Sequence, residues 1–317
     1  MSRLRGKFIK DVLKPAYTRT AMPTIWAVHS RYPIGTNIFS RDWDVLVILD
    51  TCRVDALREV APEYNWLPPI DSIDKMRSVG SATVEWIAST FVEQYREEVG
   101  ETVYITGNAQ PQKVLRDREF PEQHEGVWAP TNWQTVEEDA LQDVVHAWKY
   151  ARKDMAGGMH PALLTDIAVE EHRDQQPERM IVHYSPPHHP YPYNAIREGR
   201  EMTDTEADPF GYLLNGGDRE TVWELYMDTL RYVLPYVHRL LSAVDAPAAV
   251  ISADHGDAFG EWGFYSHPFA SFVPQVRNVP WAELSMPGES SYEPKFDRNS
   301  TEPKRKAKEQ LKVLGYL

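Results

Sequence analysis

Short runs of apolar residues along the chain predict buried β-strands. Val45–Leu49 is entirely apolar and rich in β-branched residues, and the run 248–252 has a similar character. Strands that are covered on both faces read this way, because neither side of the strand meets water. Two further strands are predicted at Thr102–Thr106 and at 180–184.

The helical spacing of apolar residues predicts the elements between these strands. Helices are expected at 54–60, 84–91, 161–172 and 218–241. Pro235 should kink the last of them, because proline removes a hydrogen bond from a helix interior. Since strands alternate with helices, the pattern predicts an α/β fold with a mostly parallel central sheet and helices on both faces.

Two other segments have less regular patterns. Thr135 and Glu138 have capping-box spacing, which predicts a helix whose apolar positions are Leu141, Val144, Val145 and Trp148. Residues 185–217 are rich in Pro, Tyr, Asn and Gly. They are expected to form a long irregular loop, and loops of that length are usually functional or disordered.

The composition excludes several classes of protein. The chain has 317 residues, 42% of them hydrophobic, which excludes disorder for most of its length. No apolar run approaches the roughly 18 residues of a membrane-spanning helix. The single cysteine excludes a disulfide framework, and the formal net charge of -13 argues against nucleic acid as a partner.

The distribution of charge suggests three regions. Residues 1–41 are expected to form a basic N-terminal arm, 42–285 an α/β domain, and 286–317 a polar tail with a short basic helix. Basic and apolar residues are interspersed in the first twenty positions, so the arm either packs on the body or contacts a membrane surface. The expected location is cytoplasmic, with peripheral membrane contact left open.

Ionisable residues follow or end several of the predicted strands. They are Asp50, the pair His183 and His188, and the neighbours Asp254 and His255. Because ligands bind beyond the carboxyl ends of parallel strands, these residues should converge. Buried acids and imidazoles need a counter-charge, and carboxylates mixed with imidazoles favour zinc or manganese.

Each of these residues also has a simpler interpretation. Asp50 could cap the helix that follows it, and Asp254 and His255 could form an ordinary turn. His188 lies among prolines, where exposed histidines are common, and His183 is expected to be a core residue or to lie behind the metal ligands. The metal site is predicted only because all of these residues occur together in one chain, at the ends of predicted strands.

A hydroxyl group is available as a nucleophile. The segment 78–83, which contains Ser81 and Thr83, directly precedes the helix predicted at 84–91. Backbone N–H groups and the dipole at a helix N-terminus bind anions, and a hydroxyl that ligates a metal has a lowered pKa. The alternative is that Ser81 or Thr83 only caps the helix.

Four segments resemble motifs of the alkaline phosphatase superfamily, in particular its sulfatase-like branch. They are the segments 49–57 (LDTCRVDAL), 80–83 (GSAT), 182–191 (VHYSPPHHPY) and 252–267, which contains DHGDAFGE and a histidine thirteen residues after Asp254. The metal core is similar to that of phosphoethanolamine transferases and lipoteichoic-acid synthases. The overall likeness is closest to sulfatase-like proteins of halophilic archaea, and it covers roughly residues 42–285.

The resemblance implies a role for each matching residue. Asp50, Thr83, Asp254 and His255 would hold a divalent metal, zinc or manganese, as one or two ions. Thr83 would be the nucleophile. His188 and His267 would be catalytic, binding the oxygens of the substrate, protonating the leaving group or completing a second metal site. Arg53 and Ser81 would contact the substrate, although Arg53 could equally form a salt bridge with Asp55 or another nearby acid.

The chain also departs from the family. Its only cysteine, Cys52, does not stand in the segment that sulfatases convert to formylglycine, and Thr51 stands where sulfatases tend to have a second Asp. The transferases have Glu where this chain has Asp50, and they carry a membrane domain. The resemblance therefore implies the metal core without a particular substrate.

Two functions follow as expectations. The first is a metal-dependent hydrolase or transferase that acts on a phosphate or sulfate ester, on a glycan or a lipid headgroup, through a threonine nucleophile. The alternative is a non-catalytic sulfatase-like protein that recognises a glycan or a protein partner. The acidic surface fits a high-salt setting.

Overall fold

The computed structural model describes residues 17–151, 159–286 and 291–296. Most of the basic amphipathic segment at the N-terminus and the short basic helix predicted at the C-terminus lie outside the described residues. Among the described residues, no helix combines the length and the apolar character needed to cross a membrane.

The described chain contains a seven-stranded sheet and a small two-stranded hairpin. The strands are β1 Val45–Leu49, β2 Ile73–Arg77, β3 Thr102–Thr106, β4 Asp143–His146, β5 Arg179–Tyr184, β6 Ala246–Ser252, β7 Ala258–Phe259, β8 Tyr265–Ser266 and β9 Asn278–Met286. The large sheet has the order β2-β9-β6-β1-β5-β3-β4, and β7 pairs with β8. Strands β6, β1, β5, β3 and β4 are parallel, whereas β9 is antiparallel to both of its neighbours. The prediction of a mostly parallel sheet is confirmed.

Helices connect and cover these strands. They are α1 Met22–His29, α2 Val54–Val60, α3 Thr83–Thr90, α4 Arg96–Gly100, α5 Pro121–His124, α6 Pro161–Gln175, α7 Tyr193–Glu198, α8 Asp204–Ala207, α9 Pro209–Leu214, α10 Arg219–Ala243 and α11 Pro274–Arg277. The 3-10 turns are Ile38–Ser40, Ala61–Glu63, Ile70–Ser72, Glu93–Tyr95, Glu138–Ala140, Ala147–Tyr150 and Glu261–Gly263, and two π-helical turns span Tyr17–Ala21 and Gln112–Arg116.

Consecutive residues of β5 show that helices lie on both faces of the sheet. Successive side chains of a strand point to opposite faces. The Tyr184 hydroxyl contacts Thr165 of α6 at 2.7 Å, whereas the ring of His183 packs against Trp86 of α3 with centroids 5.8 Å apart. Helices α6 and α3 therefore cover opposite faces, and the β1 strand between them is entirely buried.

The prediction of a helix from the capping-box spacing of Thr135 and Glu138 is wrong. Asp143–His146 is instead strand β4, which pairs with β3 and takes up the β-branched residues Val144 and Val145. Thr135 forms an isolated bridge with Val92, and its hydroxyl donates to the Ala88 carbonyl at 2.7 Å. Pairing with a neighbouring strand thus overrides the local helix signal.

Other differences are smaller. The segment 185–217, predicted as an irregular loop, contains the three short helices α7, α8 and α9. Strands β2 and β9 were not among the predicted elements. Helix α10 runs without a break through Pro235. Pro235 has no N–H to donate to the Arg231 carbonyl four residues earlier, and the Tyr64 hydroxyl donates to that carbonyl instead, at 3.3 Å.

Candidate active site

Asp50 lies directly after β1, at the centre of the carboxyl edge of the sheet. Its side chain is 1% exposed. The next residue, Thr51, has a left-handed backbone conformation with φ of 65°, which is uncommon for a residue other than glycine. That turn directs the Thr51 N–H to Oδ1 of Asp254, at 3.3 Å, while the Tyr226 hydroxyl donates to the Thr51 carbonyl at 3.0 Å. The turn therefore joins the ends of β1 and β6.

Asp50, Asp254 and His255 form a group that could hold a metal ion. Each offers one ligand atom, and these atoms all lie within 4.8 Å of one another. Nδ1 of His255 is 3.1 Å from the Gly256 carbonyl, which can only accept, so Nδ1 carries the proton and Nε2 keeps its lone pair. Nε2 lies 3.4 Å from Oδ2 of Asp254 and 3.7 Å from Oδ1 of Asp50.

The chemistry of this group fits a divalent cation. Oδ1 of Asp50 is buried and has no hydrogen-bond partner among the residues that the structure describes. Burial and the neighbouring Asp254 carboxylate hold the pKa of Asp50 well above its ordinary value. Among the described residues, no Lys or Arg forms an ion pair with either carboxylate. A cation with oxygen and nitrogen ligands would supply the missing counter-charge.

The Thr83 hydroxyl lies at the edge of this group. Thr83 is the first residue of α3 and is 7% exposed. Its Oγ1 donates to Oδ2 of Asp254 at 2.8 Å and lies 3.4 Å from Nε2 of His255. The N-cap of α3 is Ala82, and no side chain caps the helix there. Thr83 thus faces the candidate metal ligands instead of capping its own helix.

Three histidine rings, those of His188, His189 and His267, pack beside His255 of the candidate metal group. The ring of His267 lies 4.5 Å from His255 and 5.2 Å from His188, and the His188 ring stacks on His189 at 4.2 Å. Nδ1 of His188 donates to the His189 carbonyl, and Nδ1 of His267 donates to Oδ1 of Asp257 at 2.8 Å. In both His188 and His267, Nε2 is the nitrogen left for a substrate or a second metal.

The pKa values of His188 and His267 are shifted in opposite directions. Burial lowers the pKa of His188 to about 4. Burial also acts to lower the pKa of His267, but the charge and hydrogen bond of Asp257 outweigh it, so the pKa of His267 is raised. Asp257 is fully buried, and its own pKa is lowered because the neighbouring histidines outweigh its burial. The sequence motif that contains Asp257 was recognised, but its contact with His267 was not predicted.

His183 lies behind the two carboxylates, as the sequence predicted. It is fully buried, and burial lowers its pKa to about 4. Its Nδ1 is 2.8 Å from the Tyr104 hydroxyl, and its Nε2 lies 3.8 Å from Oδ2 of Asp50 and 3.9 Å from Oδ2 of Asp254. The imidazole therefore forms one wall of the candidate metal site.

Asn108 is a member of the site that sequence reasoning missed. Its Nδ2 donates to Oδ2 of Asp50 at 2.9 Å, and the residue is 1% exposed. Asn108 lies just beyond the carboxyl end of β3, as Asp50 lies just beyond that of β1. The expectation that ligands bind beyond the carboxyl ends of parallel strands therefore applies to both residues. The sequence analysis predicted the strand at Thr102–Thr106 but did not assign the amide that follows it to the site.

The structure places Arg53 and Ser81 in contact with protein groups. The Arg53 guanidinium binds Asp55 at 2.9 Å, Glu261 at 2.8 Å and the Asp257 carbonyl at 3.0 Å. The Ser81 hydroxyl lies 2.6 Å from Oε2 of Glu85. These contacts favour the salt-bridge interpretation of Arg53, and they occupy the Ser81 hydroxyl that was predicted to contact substrate. Cys52 is fully buried, and burial raises the pKa of its thiol.

Comparisons with known proteins find similar solved structures. No protein-family model and no curated protein sequence matches the chain. The soluble domain of lipooligosaccharide phosphoethanolamine transferase A from Neisseria meningitidis is similar, with a TM-score of 0.49 and 15% identity over 77% of this chain and 76% of that one. The C-terminal periplasmic domain of EcEptC from Escherichia coli, in complex with Zn, has a TM-score of 0.46 and 13% identity over 81% of this chain and 76% of that one.

A candidate sulfatase from Bacteroides thetaiotaomicron is also similar, with a TM-score of 0.47 and 14% identity over 86% of this chain and 75% of that one. The structural neighbours are thus phosphoethanolamine transferases and sulfatase-like proteins, the groups that the sequence motifs resemble. The likeness to proteins of halophilic archaea stays a prediction.

Proposed function

We propose that this chain is a metal-dependent hydrolase or transferase that acts on a phosphate or sulfate ester, with Thr83 as its nucleophile. The observation that carries the proposal is the position of the Thr83 hydroxyl, 2.8 Å from Asp254 and 3.4 Å from His255. Both of these residues, together with Asp50, belong to the candidate metal group. A hydroxyl at a helix N-terminus, beside metal ligands, is suited to attack an anionic ester.

Asp50, Asp254, His255 and Thr83 would hold the metal. A divalent ion bound there would act as a Lewis acid and lower the pKa of the Thr83 hydroxyl. The mixture of carboxylate, imidazole and hydroxyl ligands suits zinc or manganese. These are the two ions to supply first when the metal-free protein is reconstituted.

The residues of the chain have separate parts in the reaction. Asp254 accepts the hydrogen bond of Thr83, orients the attacking oxygen and takes its proton. The Thr83 oxygen forms a bond to the phosphorus or sulfur of the substrate while the bond from that phosphorus or sulfur to the departing ester oxygen breaks. The departing oxygen takes a proton from the protonated form of His267 or His188. Water in a hydrolase, or an acceptor alcohol in a transferase, then gives a proton to the same histidine and displaces Thr83, which recovers its proton from Asp254.

The test combines metal analysis with three chromogenic substrates. We expect the protein to bind a divalent ion and to turn over p-nitrophenyl phosphate, its diester or p-nitrophenyl sulfate. Thr83→Ala should reduce turnover by at least about a thousandfold, because an enzyme that loses its nucleophile retains only binding and electrostatic effects. Thr90→Ala is the matched control, since Thr90 lies on the same helix and its buried hydroxyl has no partner among the described residues.

Two outcomes would oppose this proposal. Turnover by Thr83→Ala equal to that of Thr90→Ala would exclude the threonine nucleophile. A protein that binds metal but turns over no substrate, including a phosphoethanolamine donor, would favour the non-catalytic alternative. In an active protein, release of free phosphate or sulfate indicates a hydrolase, and transfer of the label to an added alcohol indicates a transferase.

A further inference from the structure

Glu85 is a buried carboxylate in the first turn of α3, two residues after Thr83. The residue is 1% exposed. Burying a carboxylate is costly unless hydrogen bonds replace its water. Among the described residues, no Lys or Arg forms an ion pair with Glu85. The groups that surround it must therefore provide the hydrogen bonds.

Three separate segments of the chain provide them. Oε2 accepts from the Ser81 N–H at 2.9 Å and lies 2.6 Å from the Ser81 hydroxyl. Oε1 accepts from the indole N–H of Trp26 at 2.6 Å and from the Ala270 N–H at 2.6 Å. Ser81 belongs to the turn before the nucleophile, Trp26 to helix α1, and Ala270 to the loop that follows His267. Glu85 thus binds residues that lie 59 positions before it and 185 positions after it in the chain.

The turn that precedes Thr83 and the loop that follows His267 both bind the Glu85 carboxylate. Thr83 lies between Ser81 and Glu85 in the sequence. The contacts of Oε2 with Ser81 therefore close a short loop of backbone that includes the nucleophile. The loop after His267 is also attached to the Ser81 hydroxyl, which accepts from the Ser271 N–H at 3.0 Å and lies 3.1 Å from the Pro268 carbonyl. Within that loop Ala270 has a left-handed conformation with φ of 55°, which costs energy for a residue other than glycine. The hydrogen bond from Ala270 to Glu85 holds this conformation.

A carboxylate that only favoured the positive end of the helix dipole would not need hydrogen bonds from Trp26 and Ala270, which lie outside the helix. Glu85 is buried, and three of its four hydrogen bonds measure 2.6 Å, while the fourth, from the Ser81 N–H, measures 2.9 Å. We propose that Glu85 is a positioning residue that fixes the Thr83 hydroxyl relative to the His267 imidazole. The proposal rests on the proposed function, because it assigns these two groups to one reaction.

The substitution Glu85→Gln in the full chain tests it. Glutamine has a similar shape, but its NH2 cannot accept a hydrogen bond on one side and its neutral oxygen accepts more weakly than a carboxylate on the other, so the contacts on both sides are weakened. We expect kcat to fall about 10- to 100-fold, as for residues that orient catalytic groups, and KM to change less than about threefold. Hydrogen exchange should accelerate in peptides from both 78–83 and 267–272, because Glu85 holds both segments.

Glu122→Gln is the matched control. Glu122 is 8% exposed, accepts the Trp133 indole N–H at 2.9 Å and lies in the short helix α5. It thus reproduces a buried glutamate bound to a tryptophan without a contact to Thr83 or His267. Kcat for Glu122→Gln should stay within about twofold of wild type, since no group of the site is displaced.

Further variants separate the contributions of Glu85. Trp26→Phe removes the indole donor together with part of a buried ring and should affect exchange in α1 more than kcat. If Glu85→Gln does not fold, Ser81→Ala, which removes one hydroxyl contact, should give the same two exchange changes in weaker form.

Unchanged exchange in either 78–83 or 267–272, or a kcat no lower than that of Glu122→Gln, would overturn the role of Glu85. Absence of turnover in the wild type would refute the proposed function, and the exchange data would still measure the coupling.

Discussion

The Thr83 hydroxyl donates a 2.8 Å hydrogen bond to Oδ2 of Asp254, a residue 171 positions later in the chain. The contact exists because α3 begins, and β6 ends, at the same edge of the sheet. It brings a hydroxyl at a helix N-terminus next to a carboxylate that also lies 3.4 Å from His255. The nucleophile and the candidate metal ligands are therefore prepared in one place before any substrate arrives.

The two buried carboxylates should make the metal-free protein less stable than it could be. Asp50 has a raised pKa because of burial and the nearby Asp254, so keeping it ionised costs folding free energy at neutral pH. We expect metal-free Asp50→Asn to be more stable than metal-free wild type. Metal at one hundred times its Kd should stabilise the wild type by about 2.7 kcal/mol and Asp50→Asn much less. Urea unfolding with chelator and with zinc or manganese measures both effects.

Asp166→Asn is the comparison for that experiment. Asp166 is 6% exposed and accepts hydrogen bonds from Tyr292 and Lys295, away from the candidate metal group. Its substitution should destabilise the protein and leave the stabilisation by metal intact. Equal metal stabilisation of wild type and Asp50→Asn would remove Asp50 from the metal site.

Asn108 should tune the affinity of the site for metal. Its amide donates to Oδ2 of Asp50 at 2.9 Å, while Oδ1 has no partner in the described part of the chain. Asn108→Ala should weaken metal binding about 10- to 100-fold, as for other residues that orient metal ligands. Competition with a chromogenic chelator measures this. Asn37→Ala, which removes an amide bound to the carbonyls of Ser89 and Thr90, should leave the affinity unchanged.

The central strands could be predicted from the sequence because their signals are local. The Val45–Leu49 run matches β1, and the polar residues that end it and β6 do meet at the carboxyl edge. Strand β4 was not predicted, since its pairing with β3 outweighs a local capping pattern. The bonds of Glu85 to Trp26 and Ala270 join residues 59 and 185 positions apart, and no spacing rule in the sequence indicates them.

Arg53 should contribute to stability more than to substrate binding. Its guanidinium is held by Asp55 and Glu261 and lies 5.0 Å from the centre of the Trp223 ring. We expect Arg53→Lys to lower the free energy of unfolding by about 1–3 kcal/mol, because an ammonium cannot serve all these acceptors. KM for the anionic substrate should change less than about twofold. A large rise in KM with unchanged stability would restore the substrate contact that the sequence suggested.

The segment 185–217 should lose stability in acid through Glu206. Both oxygens of Glu206 accept from Arg200, at 2.6 and 2.7 Å, and Oε2 also accepts the Thr203 N–H at 2.7 Å. These bonds lower the pKa of Glu206, so their contribution is complete above the ordinary pKa of glutamate and is lost as the pH falls through the lowered value. Urea unfolding between about pH 6 and pH 3 should therefore show a flatter decline for Glu206→Gln than for wild type. Parallel curves would contradict this.

Tyr64 should be needed only because Pro235 interrupts the hydrogen bonds of α10. Its hydroxyl donates to the Arg231 carbonyl, which Pro235 leaves without the usual N–H partner. Tyr64→Phe removes that donor and keeps the ring, so we expect a loss of about 1 kcal/mol in the free energy of unfolding. In a Pro235→Ala background the alanine N–H can bind the same carbonyl, and the loss on Tyr64→Phe should fall to about half or less. Equal losses in the two backgrounds, measured by urea unfolding as a double-mutant cycle, would show that the tyrosine acts independently of the proline.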